Sequence, residues 1–430
     1  MLMSRWSLPA LVAGLALSFS CRQSEVKEAA PANPSVRAKA GLVSAPPATA
    51  PRLGAADDGQ EVAALDPVRS PTPQLHPHPP LDVCRTPGDP LDAARHLYDA
   101  RRFTEALSCA AQATAFFPDL PQAYSEKGAA LAALGRIDEA ALAYARALAL
   151  APEHPDALLG AAHLYAVSFP SSREHDELAA VYAERGAAGA RAEKDRALLA
   201  QFSLIGAMAL NDLGRGLEAL SRAEEVLRLE RGNREAGYER AVALFELCRF
   251  AEARTAFSAL LQDEDRGAHA HHHLGLILER QGRFSEADKH FKVARRLAPE
   301  DFPEPQLLAP RDFKAEIERA VAELPADMRR DLAGVPVTVE DLPREEDLLG
   351  GDPPLSPTIL GLFRGPPIGE RCDSASGGQP CRSVALYRRN LARAVQSRKE
   401  LAAQIRVTLL HEVGHLRGED DLELAARGLE

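Results

Sequence analysis

The sequence predicts a mainly α-helical protein in which a solenoid of helix pairs is followed by a small α+β domain. Two observations predict this fold class. A pattern of small residues recurs about every 34 residues across residues 86–301, and residues 312–430 combine helical and strand patterns around a helix that carries two spaced histidines. With 430 residues, of which 46% are hydrophobic, the chain is long enough to form both parts.

The N-terminus has the pattern of a secretory signal peptide over residues 1–20. Arg5 precedes an apolar run, residues 6–19, that is too short to span a membrane. Cys21 follows and is predicted to be the lipidated first residue of a bacterial lipoprotein, located in the periplasm or at the outer membrane of the cell envelope. Cleavage after the small residue Ser20, giving a soluble exported protein, is the alternative. Either alternative predicts a chain outside the cytoplasm.

Residues 21–85 are rich in Pro and Ala and lack sustained periodicity, which predicts a disordered tether. The net charge of −11 argues against nucleic acid as a partner, because phosphate binding requires a positive surface. The sequence also lacks a glycine-rich phosphate loop and a Gly-x-Ser-x-Gly turn. It therefore gives no indication of an NTPase or a serine hydrolase.

An exported chain can form disulfide bonds. Cys372 and Cys381 lie close together in sequence and are predicted to close a loop beside the C-terminal domain. Cys84 and Cys109 are predicted to tie the first repeat to its entry segment. Cys248 then remains unpaired in the solenoid.

Six copies of the repeat begin near residues 87, 121, 155, 200, 234 and 268, with an insertion in the third copy. The eighth position of every copy is small: Ala94, Gly128, Ala162, Ala207, Ala241 and Gly275. This pattern resembles the tetratricopeptide repeat, a pair of antiparallel helices that stacks into a solenoid with a concave face. The resemblance implies binding of a protein or peptide partner. A spacer that only positions the C-terminal domain is the alternative.

The cluster His269, His271, His272 and His273 lies within the last repeat. Repeat phasing places all four on one helix, where consecutive side chains point in different directions and cannot converge on one ion. His271 is expected to face the core. The cluster is therefore not predicted to bind metal.

The most informative motif is His411-Glu412-x-x-His415 near the C-terminus. Apolar residues at helical spacing predict a helix over residues 399–416, and Gly418 is placed to end it. Residues four apart on a helix share a face, so both imidazoles can bind one zinc ion. Glu412 beside them is the expected general base.

A catalytic zinc site needs a third protein ligand. Only 15 residues follow His415, so this ligand is expected close by. Asp421, ten residues beyond His411, occupies the place where the metzincin motif has its third histidine, and a carboxylate is a competent zinc ligand. The neighbouring acids Glu419, Asp420 and Glu423 are weaker candidates.

The C-terminal region as a whole resembles the minimal zincin-like metallopeptidases of bacteria over residues 312–424, about a quarter of the chain. The shared signatures are Leu-Pro at residues 324–325, V-x-V-E-D at 337–341, G-x-P-x-x-E-R at 365–371, L-Y-R at 386–388 and H-E-x-G-H-x-x-G-x-D-D at 411–421. The resemblance implies an α+β fold, one zinc ion bound by His411, His415 and Asp421, and Glu412 as base.

In zincins generally the substrate lies along an edge strand. The strand from Val384 to Tyr387 is the candidate for this role, and Tyr387 is a candidate for stabilising the oxyanion. The sequence thus predicts an exported zinc metallopeptidase that hydrolyses peptide bonds, with repeats that recruit its protein substrate or partner. The alternative is a non-catalytic envelope scaffold whose C-terminal domain binds zinc without turnover.

Overall fold

The computed structural model of the protein describes Cys84, residues 90–372 and residues 380–429. The predicted signal peptide, Cys21 and nearly all of the predicted tether lie outside these residues. The described residues all belong to one compact unit. Among the described residues, no helix combines the length and the apolar character that crossing a bilayer requires.

The N-terminal part of the unit consists of six antiparallel helix pairs. Its helices are α1 (Pro90–Asp99), α2 (Phe103–Phe116), α3 (Pro121–Ala133), α4 (Ile137–Leu150), α5 (Pro155–His163), α6 (Arg173–Glu193), α7 (Arg196–Asp212), α8 (Gly216–Leu229), α9 (Arg234–Glu246), α10 (Phe250–Ser258), α11 (Gly267–Arg280) and α12 (Phe284–Leu297). The first helices of the pairs contact one another in succession, from α1 to α3, α5, α7 and α9. The predicted mainly α fold class is confirmed.

Three glycines of the repeats lie where two helices approach closely. Gly128 and Gly160 both face the ring of Tyr144, and Gly275 faces the ring of Phe291. A methyl group at any of these glycines would overlap the aromatic ring. The repeat pattern therefore arises from helix contacts that leave no room for a side chain.

The third repeat departs from the others. Its first helix, α5, continues into a π-helical turn at Leu164–Ser168, and its second helix, α6, has 21 residues. Tyr165 in the turn stacks on Phe169 and Tyr182, with ring centroids 5.1 and 6.0 Å apart. The predicted insertion thus lengthens an existing helix pair and adds a small aromatic cluster.

The C-terminal part of the unit is α+β. Its elements are α13 (Pro310–Glu323), α14 (Ala326–Asp331), β1 (Val337–Glu340), α15 (Glu345–Leu348), β2 (Gly361–Arg364), β3 (Ser383–Tyr387), α16 (Arg388–Arg393), α17 (Arg398–Arg417) and α18 (Asp421–Ala426). The three strands form one sheet in the order β1-β3-β2, in which β3 runs parallel to β1 and antiparallel to β2.

The sheet order corrects one sequence-based expectation. The strand from Val384 to Tyr387 was expected to be an edge strand, but it lies in β3, which pairs with a neighbour on both sides. Its main-chain groups are therefore engaged within the sheet and cannot pair with a substrate. Among the described strands, β2 is the edge strand that contacts α17.

One hydrophobic core joins the sheet to α17. Val384 and Leu386 of β3 pack with Ile405, Leu409 and Val413 of α17, and all five side chains are buried. Burying an aliphatic side chain of this size contributes roughly 1.5–3 kcal/mol. This packing fixes one face of α17 against the sheet and leaves the histidine-bearing face half-exposed.

Two disulfide bonds are present. Cys84 is joined to Cys109 of α2, with Cα atoms 5.4 Å apart, and Cys372 is joined to Cys381, with Cα atoms 5.8 Å apart. Cys248 has a free thiol at the turn between α9 and α10. Both sequence-predicted pairs thus have Cα separations in the range of disulfide bonds.

Candidate metal centre

Helix α17 carries the histidine motif and has defined ends. The hydroxyl of Ser397 accepts a hydrogen bond from the peptide nitrogen of Glu400 at 3.2 Å, which caps the N-terminus. Gly418 adopts a left-handed conformation with φ of 90° and ends the helix as predicted. His411 and His415 lie one turn apart on the half-exposed face near this C-terminal end.

Three nitrogen and oxygen atoms converge at this face. The Nε2 atoms of His411 and His415 are 3.0 Å apart, and Asp421 Oδ1 lies 3.5 and 3.2 Å from them. Asp421 reaches the histidines because it is the first residue of α18, which follows directly after the turn at Gly418. Within the part of the chain that the structure describes, this is the only trio of His, Cys, Asp or Glu with donor atoms so close together.

The second nitrogen of each imidazole is held by a main-chain carbonyl. His411 Nδ1 lies 2.5 Å from the oxygen of Leu429, and His415 Nδ1 lies 2.9 Å from the oxygen of Glu419. A carbonyl can only accept a hydrogen bond, so each Nδ1 donates and carries the proton. Both Nε2 atoms then present lone pairs to each other and to Asp421.

This donor set fits a zinc ion. In a tetrahedral site with bonds of about 2.0–2.1 Å, two ligand atoms are separated by about 3.3 Å, close to the separations between His411, His415 and Asp421. Three acceptors this close repel one another unless a cation lies between them. Two neutral imidazoles and one carboxylate are also the ligand types of catalytic zinc, with one coordination position left open.

The other acidic residues near the motif have different partners. Asp420 caps α18 by accepting from the peptide nitrogen of Glu423, and the Glu423 carboxylate accepts in turn from the peptide nitrogen of Asp420. Glu419 forms an ion pair with Arg427. These contacts position α18, and they leave Asp421 as the acid that faces the histidines.

Glu412 points away from the exposed face and into the domain. Its side chain is only 5% exposed, and one carboxylate oxygen accepts a hydrogen bond from the peptide nitrogen of Phe363 at 2.6 Å. Burial raises the pKa of Glu412 to about 8, the negative charge of Asp421 acts in the same direction, and the Phe363 contact opposes both. A carboxyl group with this pKa can accept or release a proton near neutral pH.

Two glycines allow the close contacts around these residues. Gly361 at the start of β2 lies directly over Thr408 and Glu412, and a methyl group there would come within 2.7 Å of Thr408 Cγ2. Gly414, between the two histidines, faces Leu424 of α18, and a methyl group there would overlap that side chain. The helix α17 therefore accommodates β2 on one side and α18 on the other.

The structure buries both Tyr387 and Val384 within the C-terminal domain. Val384 is fully buried in the hydrophobic core. Tyr387 is also fully buried, its hydroxyl is 3.5 Å from a guanidinium nitrogen of Arg364, and burial raises its pKa. The oxyanion role of Tyr387 stays a prediction, and its side chain is buried on the central strand of the sheet.

The four clustered histidines lie on one helix, α11, as expected, but the expected core position was wrong. His273 is the buried member and stacks on Phe257 with ring centroids 4.5 Å apart. His271 is half-exposed, and its Nδ1 lies 2.9 Å from Nδ1 of His290. Burial lowers the pKa of His273 to about 4, so this ring is neutral in the folded protein.

Sequence reasoning missed the groups that orient the motif. The carbonyls of Leu429 and Glu419 and the peptide nitrogen of Phe363 are main-chain groups, so no residue type marks them. A weak signal for Gly361 existed, because a glycine within an apolar strand pattern indicates a close approach by another element.

Comparison with known families identifies both parts of the chain. Residues 332–429 match the zincin-like metallopeptidase family, and residues 91–167 and 238–302 match the tetratricopeptide repeat. The chain therefore resembles tetratricopeptide-repeat proteins in its helical part and zincin-like metallopeptidases in its C-terminal part. No curated protein sequence matches the chain.

Solved structures with a similar fold are tetratricopeptide-repeat proteins. YrrB, described as having an unusual peptide-binding site, is 19% identical, with 44% of this chain and 93% of that chain covered and a TM-score of 0.36. The type IV pilus biogenesis factor PilW is 14% identical, with coverage of 49% and 93% and a TM-score of 0.40. PilF of Pseudomonas aeruginosa is 15% identical, with coverage of 49% and 91% and a TM-score of 0.39. At these identities and TM-scores the matches carry no argument about what this chain does.

Proposed function

We propose that the protein is an exported zinc-dependent metallopeptidase whose repeats recruit a protein substrate or partner. The observation that carries this proposal is the convergence of His411 Nε2, His415 Nε2 and Asp421 Oδ1, which lie within 3.5 Å of one another next to the buried carboxylate of Glu412. Zinc bound by these atoms would polarise a carbonyl group and acidify a water molecule.

The residues around the ion would have different roles. His411 and His415 would bind the ion through Nε2 because the carbonyls of Leu429 and Glu419 hold the protons on Nδ1. Glu412 accepts a proton from water and passes it to the leaving amine. Its presence favours a peptidase over a scaffold that only binds zinc, because binding the metal requires no acid at this position.

We place the substrate along β2 rather than β3. Leu360, just before β2, accepts a hydrogen bond from the peptide nitrogen of Tyr387 in β3. In an antiparallel pair only every second residue bonds to the neighbouring strand, so the main-chain groups of Gly361 and Phe363 point away from β3. This outward edge is the side on which Phe363 reaches Glu412. An extended peptide paired to this edge would run beside the catalytic carboxylate.

Export, by lipidation of Cys21 or as a soluble protein, remains part of the proposal. The signal-like sequence of residues 1–20 and the two disulfide bonds support it, since disulfides persist in oxidising compartments. Mass spectrometry of the N-terminal peptide from the natural host would test it. A diacylglycerol on Cys21 supports the lipoprotein form, cleavage after Ser20 with a free thiol supports the soluble form, and an intact Met1 contradicts export.

Metal content tests the site without knowledge of the substrate. Zinc is measured in the full chain and in the variants His415→Ala and Asp421→Ala, with His96→Ala and Asp119→Ala as controls because both side chains are exposed and far from the motif in sequence. We expect one zinc per chain in the parent and controls, and loss or strong weakening in the two site variants. Absence of zinc from the parent under metal-replete conditions would contradict the proposal.

Zinc-loaded protein is then incubated with unfolded casein and with the chain itself. Cleavage that disappears in Glu412→Gln supports a peptidase. Stoichiometric zinc without cleavage of either protein favours the alternative, a binding scaffold in which the domain holds zinc without turnover.

A further inference from the structure

The last two repeats pack against the metallopeptidase domain through buried charged groups. Glu279, near the end of α11, is only 4% exposed and forms ion pairs with Arg389, at 2.6 Å, and with Arg393. Both arginines belong to α16. Their guanidinium groups also lie over aromatic rings of α12, 4.7 Å from the centroid of Phe284 and 4.9 Å from that of Phe291.

Helix α16 also hydrogen-bonds to the segment that precedes the edge strand β2. Asn390, between the two arginines, is 6% exposed and donates through Nδ2 to the carbonyls of Pro357, at 3.1 Å, and Ile359, at 2.8 Å. Ile359 lies two residues before β2. Both amide hydrogens of Asn390 are thus used to fix the backbone that enters this strand.

The solenoid also contacts the same segment directly. Glu246, the last residue of α9, forms a hydrogen bond with Ser356. The thiol of Cys248 lies 3.7 Å from the carbonyl of Leu355. Residues 355–359 are therefore held by the repeats at their beginning and by α16 at their end.

The segment leads within a few residues to the catalytic carboxylate. Gly361 lies over Glu412, and Phe363 donates to it. A chain of contacts thus runs from Glu279 to α16, from Asn390 to the entry of β2, and from β2 to Glu412.

We propose that the last two repeats are positioning elements for the metallopeptidase site, acting through α16 and residues 355–359 to hold β2 beside Glu412. This inference rests on the proposed function for its catalytic meaning. This chain of contacts does not include the proposed metal ligands, which lie on α17 and α18.

Amide hydrogen exchange of the full zinc-loaded chain tests the link. Glu279→Gln keeps the shape of the side chain but removes the charge that pairs with two arginines. We expect exchange at Leu362, Phe363 and Arg364 to accelerate about tenfold or more, because breaking a buried ion pair is costly. Zinc content and the protection of the buried amides of Leu409 and Val413 should stay unchanged.

Glu286→Gln is the matched control. It removes an exposed ion pair with Arg283 in the same repeat, and exchange in β2 should remain as in the parent. Unchanged β2 exchange in Glu279→Gln would overturn the inference. A uniform acceleration that includes α17 would also overturn it, because Glu279 would then support the whole domain rather than this strand.

A second variant tests the inference if Glu279→Gln does not fold. Ser356→Ala removes only the hydroxyl that contacts Glu246, and the same two readouts apply to it. Zinc content in the parent separates the two proposals: a zinc-free parent contradicts the proposed function, whereas the exchange pattern alone decides whether the repeats position β2.

Discussion

The peptide nitrogen of Phe363 lies 2.6 Å from a carboxylate oxygen of Glu412. The edge strand β2 and the histidine-bearing helix α17 therefore contact each other at the proposed catalytic base. This hydrogen bond stabilises the ionised carboxylate, while burial of the same group stabilises the protonated form. The position of β2 therefore affects both where a substrate can lie and how readily Glu412 exchanges a proton.

Replacing Glu412 by Gln should separate metal binding from catalysis. The amide oxygen of Gln can still accept from the Phe363 peptide nitrogen, but the side chain cannot take a proton from water. We expect zinc content to remain at the parental level and casein cleavage to fall about 10²–10⁴-fold, the usual contribution of a general base.

The control for this variant is Glu370→Gln, an exposed acid on the loop after β2. Parental activity in Glu412→Gln, measured by the same assay, would show that another group accepts the proton. Loss of zinc together with activity would instead indicate a structural role for Glu412.

The raised pKa of Glu412 predicts a pH-dependent stability in chelator-treated protein. The pKa of Glu412 is about 8 in the folded chain against 4.5 for an ordinary Glu, so between these values the folded state binds the proton and the unfolded state does not. Its contribution to stability is therefore present below pH 4.5 and is lost as the pH rises to about 8. The loss should be on the order of 5 kcal/mol.

Denaturant unfolding of the metal-free parent and of Glu412→Gln at several pH values measures the contribution of Glu412 protonation to the free energy of unfolding. The stability difference between the two proteins should change with pH over this window, because Gln does not titrate. A difference that stays constant from pH 5 to 8 would mean that Glu412 titrates alike in both states.

Gly414→Ala should weaken zinc binding although Gly414 is not a ligand. The added methyl overlaps Leu424 and should displace α18, which carries Asp421. We expect zinc affinity to fall about 10–100-fold, as for other changes that disturb ligand orientation, with a loss of about 1–3 kcal/mol in folding stability. Competition with a chromogenic chelator measures the affinity.

Gly189→Ala is the matched control for that change. Gly189 lies on the exposed side of α6, and a methyl group there meets no atom within 4 Å. Zinc affinity should be unchanged and stability slightly increased, by about 0.5–1 kcal/mol. Equal zinc affinities in Gly414→Ala and the parent would show that α18 docks independently of this contact.

The sequence predicts those features that depend on local spacing. Helical periodicity and Gly418 predict α17 and its end, and the short distance from His415 to Asp421 along the chain predicts a ligand that the fold does place beside both histidines. The small residues of the repeats likewise predict helix contacts, because one period fixes which faces meet.

Long-range pairing could not be predicted in this way. The choice of β3 rather than β2 as the central strand depends on which strands hydrogen-bond to each other, and alternation of apolar residues is the same in both positions. The pairing of Glu279 with Arg389 joins residues separated by 110 positions, and neither lies in a recognisable motif. Burial of such groups can be read only from the folded chain.

The bond between Cys84 and Cys109 should stabilise the first repeat specifically. It closes a loop over a sequence separation of 25 residues and ties Cys84 to α2, where Cys109 is fully buried. Loop entropy predicts a contribution of about 3.5 kcal/mol. Because α1 contacts mainly α2 and α3, exchange should accelerate in α1 and α2 of Cys84→Ala/Cys109→Ala, while zinc content stays unchanged. Adding a reductant to the parent should reproduce this pattern but leave the double variant unaffected in these helices; a reductant effect of equal size in both proteins would assign the stabilisation to another group.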